Sequence, residues 1–159
     1  MYKTLTKIKT LIESTFGGTF KSYFIDNPNL IPLSELPCIA VEPIETNINI
    51  ADTAKDQWDY VIDVHLIIDA KQELLKYKKE MVGTQYLTEL MEAKDSTGAL
   101  KVNTILYVLR SNLRLDDNWY IDNISRVEYS MRIRGTTPGE QFVVKEATCR
   151  LGVKQIINR

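Results

Sequence analysis

The only histidine of the chain, His65, stands two residues after Asp63 in a segment where apolar and polar residues alternate. On a β-strand, residues two apart lie on the same face, so this Asp-x-His pair could contribute to a metal site or to acid–base chemistry. A metal site needs three or four ligands, and the neighbouring sequence offers neither a cysteine nor a second histidine. The pattern therefore favours a partly exposed histidine on a solvent or subunit face, with no bound metal.

The other motifs that could carry chemistry are incomplete. Asp116, Asp117 and Asn118 could offer oxygen ligands to a cation, but the alternating acidic positions, central glycine and distal glutamate of a calcium loop are missing. Gly17 and Gly18 lack the preceding strand and following lysine of a phosphate-binding loop. The nucleophile-elbow and dinucleotide-binding glycine patterns do not occur. We predict that the protein is not an enzyme and needs no cofactor.

Basic residues are concentrated at the C-terminal end. From Arg126 onward the chain has 7 Lys and Arg but 3 Asp and Glu, although its net charge as a whole is -1. Basic residues on one face of a sheet can bind along the phosphate backbone of a nucleic acid. Glu128 and Glu146 interrupt the pattern and aromatic residues are sparse, which favours a mixed-charge solvent or subunit face over a nucleic-acid interface. The basic residues of the two predicted strands are Arg126, Arg132, Arg134, Lys145, Arg150 and Lys154.

Composition is that of an ordinary globular chain, with 159 residues, 44% hydrophobic and 26% charged, and the length favours a single domain over residues 1–159. A disulfide between Cys38 and Cys149 is possible, but two cysteines do not make a disulfide framework, and we predict buried free thiols. Neither has a CxxC partner, which disfavours a structural zinc site. The N-terminal residues mix lysines with apolar residues, unlike a signal peptide, and no apolar run is long enough to cross a bilayer. We expect no membrane partner.

The elements that position these residues centre on residues 58–69. The even-numbered residues of this segment are all apolar, and its odd-numbered residues are a mixture of polar and apolar types. This pattern predicts a long strand with its even face in the core. Two further long strands, residues 119–134 and 142–157, flank a Gly/Pro turn and predict a C-terminal antiparallel hairpin. Shorter strands are predicted at 21–25 and 36–43, the latter bounded by prolines, with a polar loop from 44 to 55.

Helical periodicity predicts an N-terminal helix that ends at Gly17, a long helix over 70–93 with Asp69 as its N-cap, and a short helix within 100–111. Residues 110–118 are predicted to be a polar connection. Together the elements predict an α+β fold: a mostly antiparallel sheet with a long C-terminal hairpin and helices packed mainly on one face. Val61, Ile67 and Ile124 are apolar residues on the polar or mixed strand faces, which indicates a subunit interface.

The order of these elements resembles the tail terminator, or tail completion, proteins of long-tailed bacteriophages. The resemblance covers nearly the whole chain and lies in its length and in the sequence of helix, proline-bounded strand, polar loop, long strand, long helix, short helix and hairpin. It implies a structural virion protein, made in the host cytoplasm, that forms a homo-hexameric ring. Such a ring caps the tail tube, ends its growth, and joins the viral tail to the head connector during virion assembly, with DNA only in transit through it.

The family offers no catalytic residues to transfer, so the expected contact surfaces come from the residue pattern. We expect subunit or tube contacts from the mixed strand face, the basic hairpin and the polar loop. These residues are Val61, Asp63, His65, Ile67, Arg126, Arg132, Arg134, Phe142, Lys145 and Arg150, with Asn47, Asn49, Asp52 and Asp56 in the loop. The alternatives are a head–tail joining or head-completion protein of the neck, a tail tube subunit, or a small α+β binding or enzymatic domain unrelated to phage.

Overall fold

The computed structural model describes residues 1–28, 30–50, 54–71, 85–135 and 141–158. Within these residues the chain is α+β, with one mixed, mostly antiparallel sheet of six strands, which confirms the predicted fold class. The strands are β1 (Ser22–Ile25), β2 (Cys38–Ile50), β3 (Lys55–Asp69), β4 (Arg114–Asp116), β5 (Trp119–Arg134) and β6 (Phe142–Asn158). The helices are α1 (Tyr2–Phe16), α2 (Gln85–Met91) and α3 (Ile105–Ser111).

The described strands have the order β1-β2-β3-β6-β5-β4, and among them β1 and β2 form the one parallel pair. β3 and β6 lie at the centre and pair along the whole length of β3, from Lys55 opposite Asn158 to Asp69 opposite Val144. The predicted core face of β3 is confirmed. Side chains alternate between the two faces of a strand, and the following even-numbered ones of β3 point into the core. They are Tyr60, Ile62, Val64, Leu66 and Ile68, all buried.

All three described helices contribute buried residues to the cluster that contains this face of β3, and we call it the helix face of the sheet. α1 contributes Leu5, Ile8 and Ile12 at helical spacing. α2 adds Leu87 and Met91. The predicted packing of helices mainly on one face also concerns residues 72–84, which lie outside the described residues.

The helix ends follow their sequence signals. Gly17 ends α1 with a positive φ of 46°, which glycine adopts easily because it has no side chain. Thr104 caps α3, because its hydroxyl accepts a hydrogen bond from the backbone N–H of Tyr107 at 3.3 Å. Asp69 accepts the backbone N–H of Lys71 at 3.1 Å, as an N-cap would, although most of the predicted helix that follows lies outside the described residues.

β2 is longer than its prolines predict. Pro43 does not end the strand, because a bulge between Pro43 and Glu45 accommodates it and pairing with β3 continues to Ile50. The predicted polar loop at residues 44–55 is therefore wrong for residues 44–50 and for Lys55, which belong to β2 and β3.

β5 carries two bulges that sequence alternation did not reveal. They lie between Ile121 and Asn123 and between Ile124 and Arg126, so the side-chain alternation shifts on both sides of Ile124. Ile124 thereby packs against the core, and its predicted place on the polar face is wrong. The predicted connection before β5 contains the short edge strand β4, which pairs with Trp119 and Tyr120.

The face opposite the helices, which we call the outer face, is covered at one end by a second apolar cluster. Ile31 and Leu36, from the segment between β1 and β2, pack on Cys38, Ile67 and Val144. Ile67 is fully buried within the single chain, so its predicted exposure at a subunit interface is wrong. None of the described helices is long and apolar enough to cross a membrane.

Candidate functional site

His65 occupies the centre of a buried polar cluster on the outer face. The register of the sheet sets His65 beside Ala40 on β2 and Thr148 on β6. Its Nδ1 lies 2.6 Å from Oε1 of Glu146 and 3.1 Å from the Thr148 hydroxyl. Its Nε2 lies 2.8 Å from Oε2 of Glu42, in ion-pair contact but without hydrogen-bond alignment. The prediction of a partly exposed histidine is wrong, because the ring is held between two carboxylates.

Glu146 connects this histidine to arginines of β5. Its side chain is fully buried, and its Oε2 lies 3.3 Å from Nη2 of Arg134 and 3.4 Å from Nε of Arg132. Arg134 is also buried, and it donates to the backbone carbonyl of Pro28 at 2.8 Å and to Oδ1 of Asn27 at 3.0 Å. Glu146 and Arg134 therefore fasten the segment after β1 to the end of the C-terminal hairpin.

The charge on Glu146 is maintained by its neighbours. Burial by itself would raise the pKa of this carboxyl, since desolvation disfavours the charged form. The hydrogen bond and charge of His65, with the charges of Arg132 and Arg134, outweigh burial and hold the pKa below its ordinary value of 4.5. Glu146 is thus a buried carboxylate that remains ionised at neutral pH.

Asp63 and Arg150 form a second ion pair on the same face, directly across the β3–β6 ladder. Arg150 donates from Nε and Nη2 to the two carboxylate oxygens of Asp63 at 2.8 and 2.7 Å. This paired geometry is the strongest form of an arginine–carboxylate contact, and it raises the pKa of Arg150. Asp63 is buried, so both members of the predicted Asp-x-His pair are bound within the chain rather than offered to a ligand.

The cluster can hold charged side chains in a fixed geometry, and the contacts described above are all made within the same chain. Among the described residues, no group of three or more His, Cys, Asp and Glu side chains is arranged to hold a metal ion. The described surface hollows lie elsewhere, for example between α1 and β4 beside Thr10 and Arg114. The arrangement works as a clamp that holds the segment between β1 and β2 on the sheet.

The predicted basic residues do not form one surface. Arg126, Arg132 and Arg134 share the outer face, but Arg134 is buried in the clamp. Arg126 is exposed and pairs with Glu128 at 2.9 Å. Lys145 pairs across the ladder with Met131 on the helix face, opposite to Arg150. Phe142 packs at the margin of the second apolar cluster.

The predicted interface loop is divided between two strands. Asn47 and Asn49 are exposed on β2, and Asn49 donates to Asp59 at 2.9 Å. Asp56 is partly buried on β3, whereas Asp52 lies outside the described residues. Val61 lies on the outer face opposite Glu45 and is partly buried.

The two cysteines are buried free thiols, as predicted. Cys38 lies on the outer face in the second apolar cluster, and Cys149 lies on the helix face. Burial raises the pKa of each thiol to about 12. Both therefore stay protonated and unreactive at neutral pH.

Sequence reasoning missed an apolar surface at the end of the β5–β6 hairpin. Met131 and Ile133 of β5 are 67% and 68% exposed, and Val143 of β6, which pairs with Ile133, is also exposed. By alternation these three residues, the hairpin-end patch, lie on the helix face beyond the core. The signal was the apolar run of odd positions that continues along β5 from Val127 to Ile133.

No protein-family model matches the chain, and no curated protein matches its sequence.

Proposed function

We propose that this chain is a tail terminator of a long-tailed bacteriophage, a structural protein of the virion tail. In this proposal six copies form a ring that caps the tail tube, ends its growth and joins the tail to the head connector. The order of elements supports the proposal, with β2, the long β3 and the β5–β6 hairpin building one sheet. The ring would act by binding alone, with DNA passing through it.

The hairpin-end patch carries the proposal. Large apolar side chains exposed together on neighbouring strands mark a surface that another protein covers. Full burial of one isoleucine or methionine side chain contributes about 1.5–3 kcal/mol, so covering Met131 and Ile133 would be a substantial part of a contact. We assign this patch to the tail tube, because a hairpin end can reach along the tube axis.

The clamp supports the same function. A patch at the end of a long hairpin binds a rigid partner well only if the hairpin keeps one geometry, since ordering it on contact would cost affinity. Arg134 lies one residue after Ile133 and is fixed by Glu146 and Asn27. The buried ion pairs therefore hold the strand on which the patch stands.

The test is the length of tail tubes assembled in the presence of the chain. The tube protein encoded in the same phage genome is polymerised with and without the purified chain, and tube lengths are measured on negative-stain images. We expect shorter tubes that carry extra density at one end. Unchanged lengths with bare ends would contradict the proposal.

Paired variants locate the contact on the hairpin. Ile133→Lys introduces a charge into the patch and should abolish capping. Val102→Lys is the matched control, because Val102 is 67% exposed but precedes α3, far along the chain from the hairpin. Capping that survives Ile133→Lys as well as it survives Val102→Lys would show that the patch does not bind the tube.

A further inference from the structure

In the described part of the chain, two long strands keep an edge without a ladder partner. β1 pairs with β2 only as far as Val41, and β4 pairs with β5 only at Trp119 and Tyr120. Among the described residues, the outer edges of β2 beyond Val41 and of β5 beyond Ile121 are therefore open. Such rows of backbone N–H and C=O groups are a template for pairing with another chain.

Each open edge is irregular in one half and regular in the other. Pro43, which has no N–H to donate, and the adjoining bulge blunt the first part of the β2 edge. The two bulges around Ile124 blunt the first part of the β5 edge. The regular segments that remain are residues 45–50 of β2 and residues 126–134 of β5.

The regular segments are complementary in charge on the outer face. The β2 segment carries the exposed carboxylate of Glu45. The β5 segment carries Arg126 and Arg132, whose side chains are half exposed, and Glu128, which pairs with Arg126, so the complementarity rests on Glu45 and Arg132. Opposite charges on neighbouring strands stabilise a sheet, and like charges directly opposite each other destabilise it.

The segments also match on the helix face. Ile48 of β2 pairs with Trp58 of β3 and is largely exposed, although it lies on the apolar side of the sheet. Met131 of β5 is exposed on the same side. If the two sheets were continuous, Ile48 would cover part of Met131, while Ile133 and Val143 of the hairpin-end patch would stay open to the tube.

We propose that residues 45–50 of one copy pair with residues 127–132 of a second copy and extend the sheet from chain to chain. β2 and β5 run in opposite directions, since every step between them in the order β2-β3-β6-β5 is antiparallel. Copies placed side by side in one orientation therefore join these strands antiparallel. The two surfaces differ, so the contact is head-to-tail and can close a ring. This contact deepens the proposed tail-terminator function and rests on it.

One register satisfies both faces. Setting Glu45 opposite Arg132 brings Asn47 opposite Ser130 on the outer face. The same register sets Ile48 opposite Tyr129 on the helix face, with Met131 diagonal to Ile48. A slip by one residue would reverse the face of every side chain and put Glu45 among apolar neighbours.

Cysteine cross-linking tests this register. Residues directly opposite in an antiparallel pair have Cβ atoms about 4.5–5.5 Å apart, close to the distance that a disulfide spans. One variant combines Glu45→Cys with Arg132→Cys, and a second combines Asn47→Cys with Ser130→Cys, which leaves every charge in place. The native thiols will not interfere, because Cys38 and Cys149 are buried and protonated.

Both double variants are oxidised at high concentration, alone and with tube protein, and analysed by non-reducing electrophoresis. We expect a ladder of covalent multimers from each. The matched control combines Thr46→Cys with Arg132→Cys, whose side chains would point to opposite faces and should not cross-link. Each single substitution should also give monomers only, because a head-to-tail contact sets no residue opposite its own copy.

Two results would overturn the contact. A covalent dimer from one single substitution would reveal a two-fold contact in its place. Monomers alone from both double variants, with and without tube protein, would show that the edges do not pair. A ladder without capped tubes would refute the terminator function and keep the edge contact, whereas capped tubes without a ladder would do the reverse.

Discussion

Glu146 is the residue on which the outer face depends. It is fully buried, contacts His65, Arg132 and Arg134, and has a pKa held below its ordinary value. A buried ion pair is weak evidence for net stability, but removal of one member is costly, because the other charges are left buried without a partner. Loss of this one carboxylate should therefore release both the histidine and the arginine that holds the segment after β1.

Replacement of Glu146 by glutamine should lower the free energy of unfolding by roughly 3–5 kcal/mol at pH 7, because the charges around it lose their counterion. Urea unfolding followed by circular dichroism measures the change. Glu128→Gln is the control, since the exposed pair of Glu128 with Arg126 should contribute only about 0–1 kcal/mol. Equal decreases in the free energy of unfolding of the two variants would contradict the role assigned to Glu146 in the clamp.

The stability supplied by Glu146 should depend on pH with a defined sign. Its folded-state pKa lies below the usual 4.5, so the unfolded chain takes up the proton first as the pH falls. The contribution is complete above that usual value and is lost as the pH falls through the lower, folded-state pKa. The difference in stability between wild type and Glu146→Gln should thus narrow below about pH 4.5, measured by urea titrations across the acid range. A difference that widened there would contradict the assigned charge state.

At the scale of elements, β3 shows what alternation can and cannot predict. Its even face could be recognised from sequence because the core there is continuous and apolar. Its odd face could not be interpreted, because the partners of His65 come from β2 and β6, far away in the chain. The burial of Ile67 depends on Ile31 and Leu36, from a segment whose path over the sheet has no local signal.

The two faces of β3 should respond differently to truncation. Ile62→Ala leaves a cavity in the core below the helices and should lower the free energy of unfolding by about 2–5 kcal/mol. Val61→Ala, one residue earlier on the partly buried outer face, should cost about 1 kcal/mol. Urea denaturation of both variants makes the comparison, and a reversed order would contradict the assignment of faces.

The start of α3 was predictable because its signal is local. The Thr104 hydroxyl accepts the N–H of Tyr107 and also donates to the carbonyl of Lys101 at 2.8 Å. Thr104→Ala should lower the free energy of unfolding by about 1 kcal/mol, and Thr104→Ser should restore most of it because serine is an equal cap. Thermal and urea unfolding measure both, and an alanine variant as stable as wild type would show that the cap does not stabilise α3.

Bulges explain the remaining errors at this scale. A strand that carries an extra residue reads as continuous alternation until the partner strand is known, and so Ile124 was assigned to the wrong side. Pro43 was interpreted as a strand end because its bulge cannot be seen in the sequence. A proline is tolerated at such a bulge on an edge strand, and the pairing with β3 continues beyond it. In both strands the bulge precedes the regular edge segment that we assign to the contact between copies.

At the scale of the whole molecule, the sheet offers contacts in two directions. The open edges lie on its two sides, and the hairpin-end patch lies at one end of its strands. The clamp and the second apolar cluster keep the outer face closed at that end. The ring that we propose would use the two edges for contacts between copies and the hairpin-end patch for the contact with the tube.

The position of the chain on assembled tubes tests the central claim most directly. Tubes are formed with a chain that carries a gold-labelled terminal tag and are imaged by electron microscopy, with end views averaged for rotational symmetry. We predict label at one end of each tube only, in a ring of six copies of the 18.3 kDa chain. Label along the length of the tubes, or tubes without any label at their ends, would contradict the account.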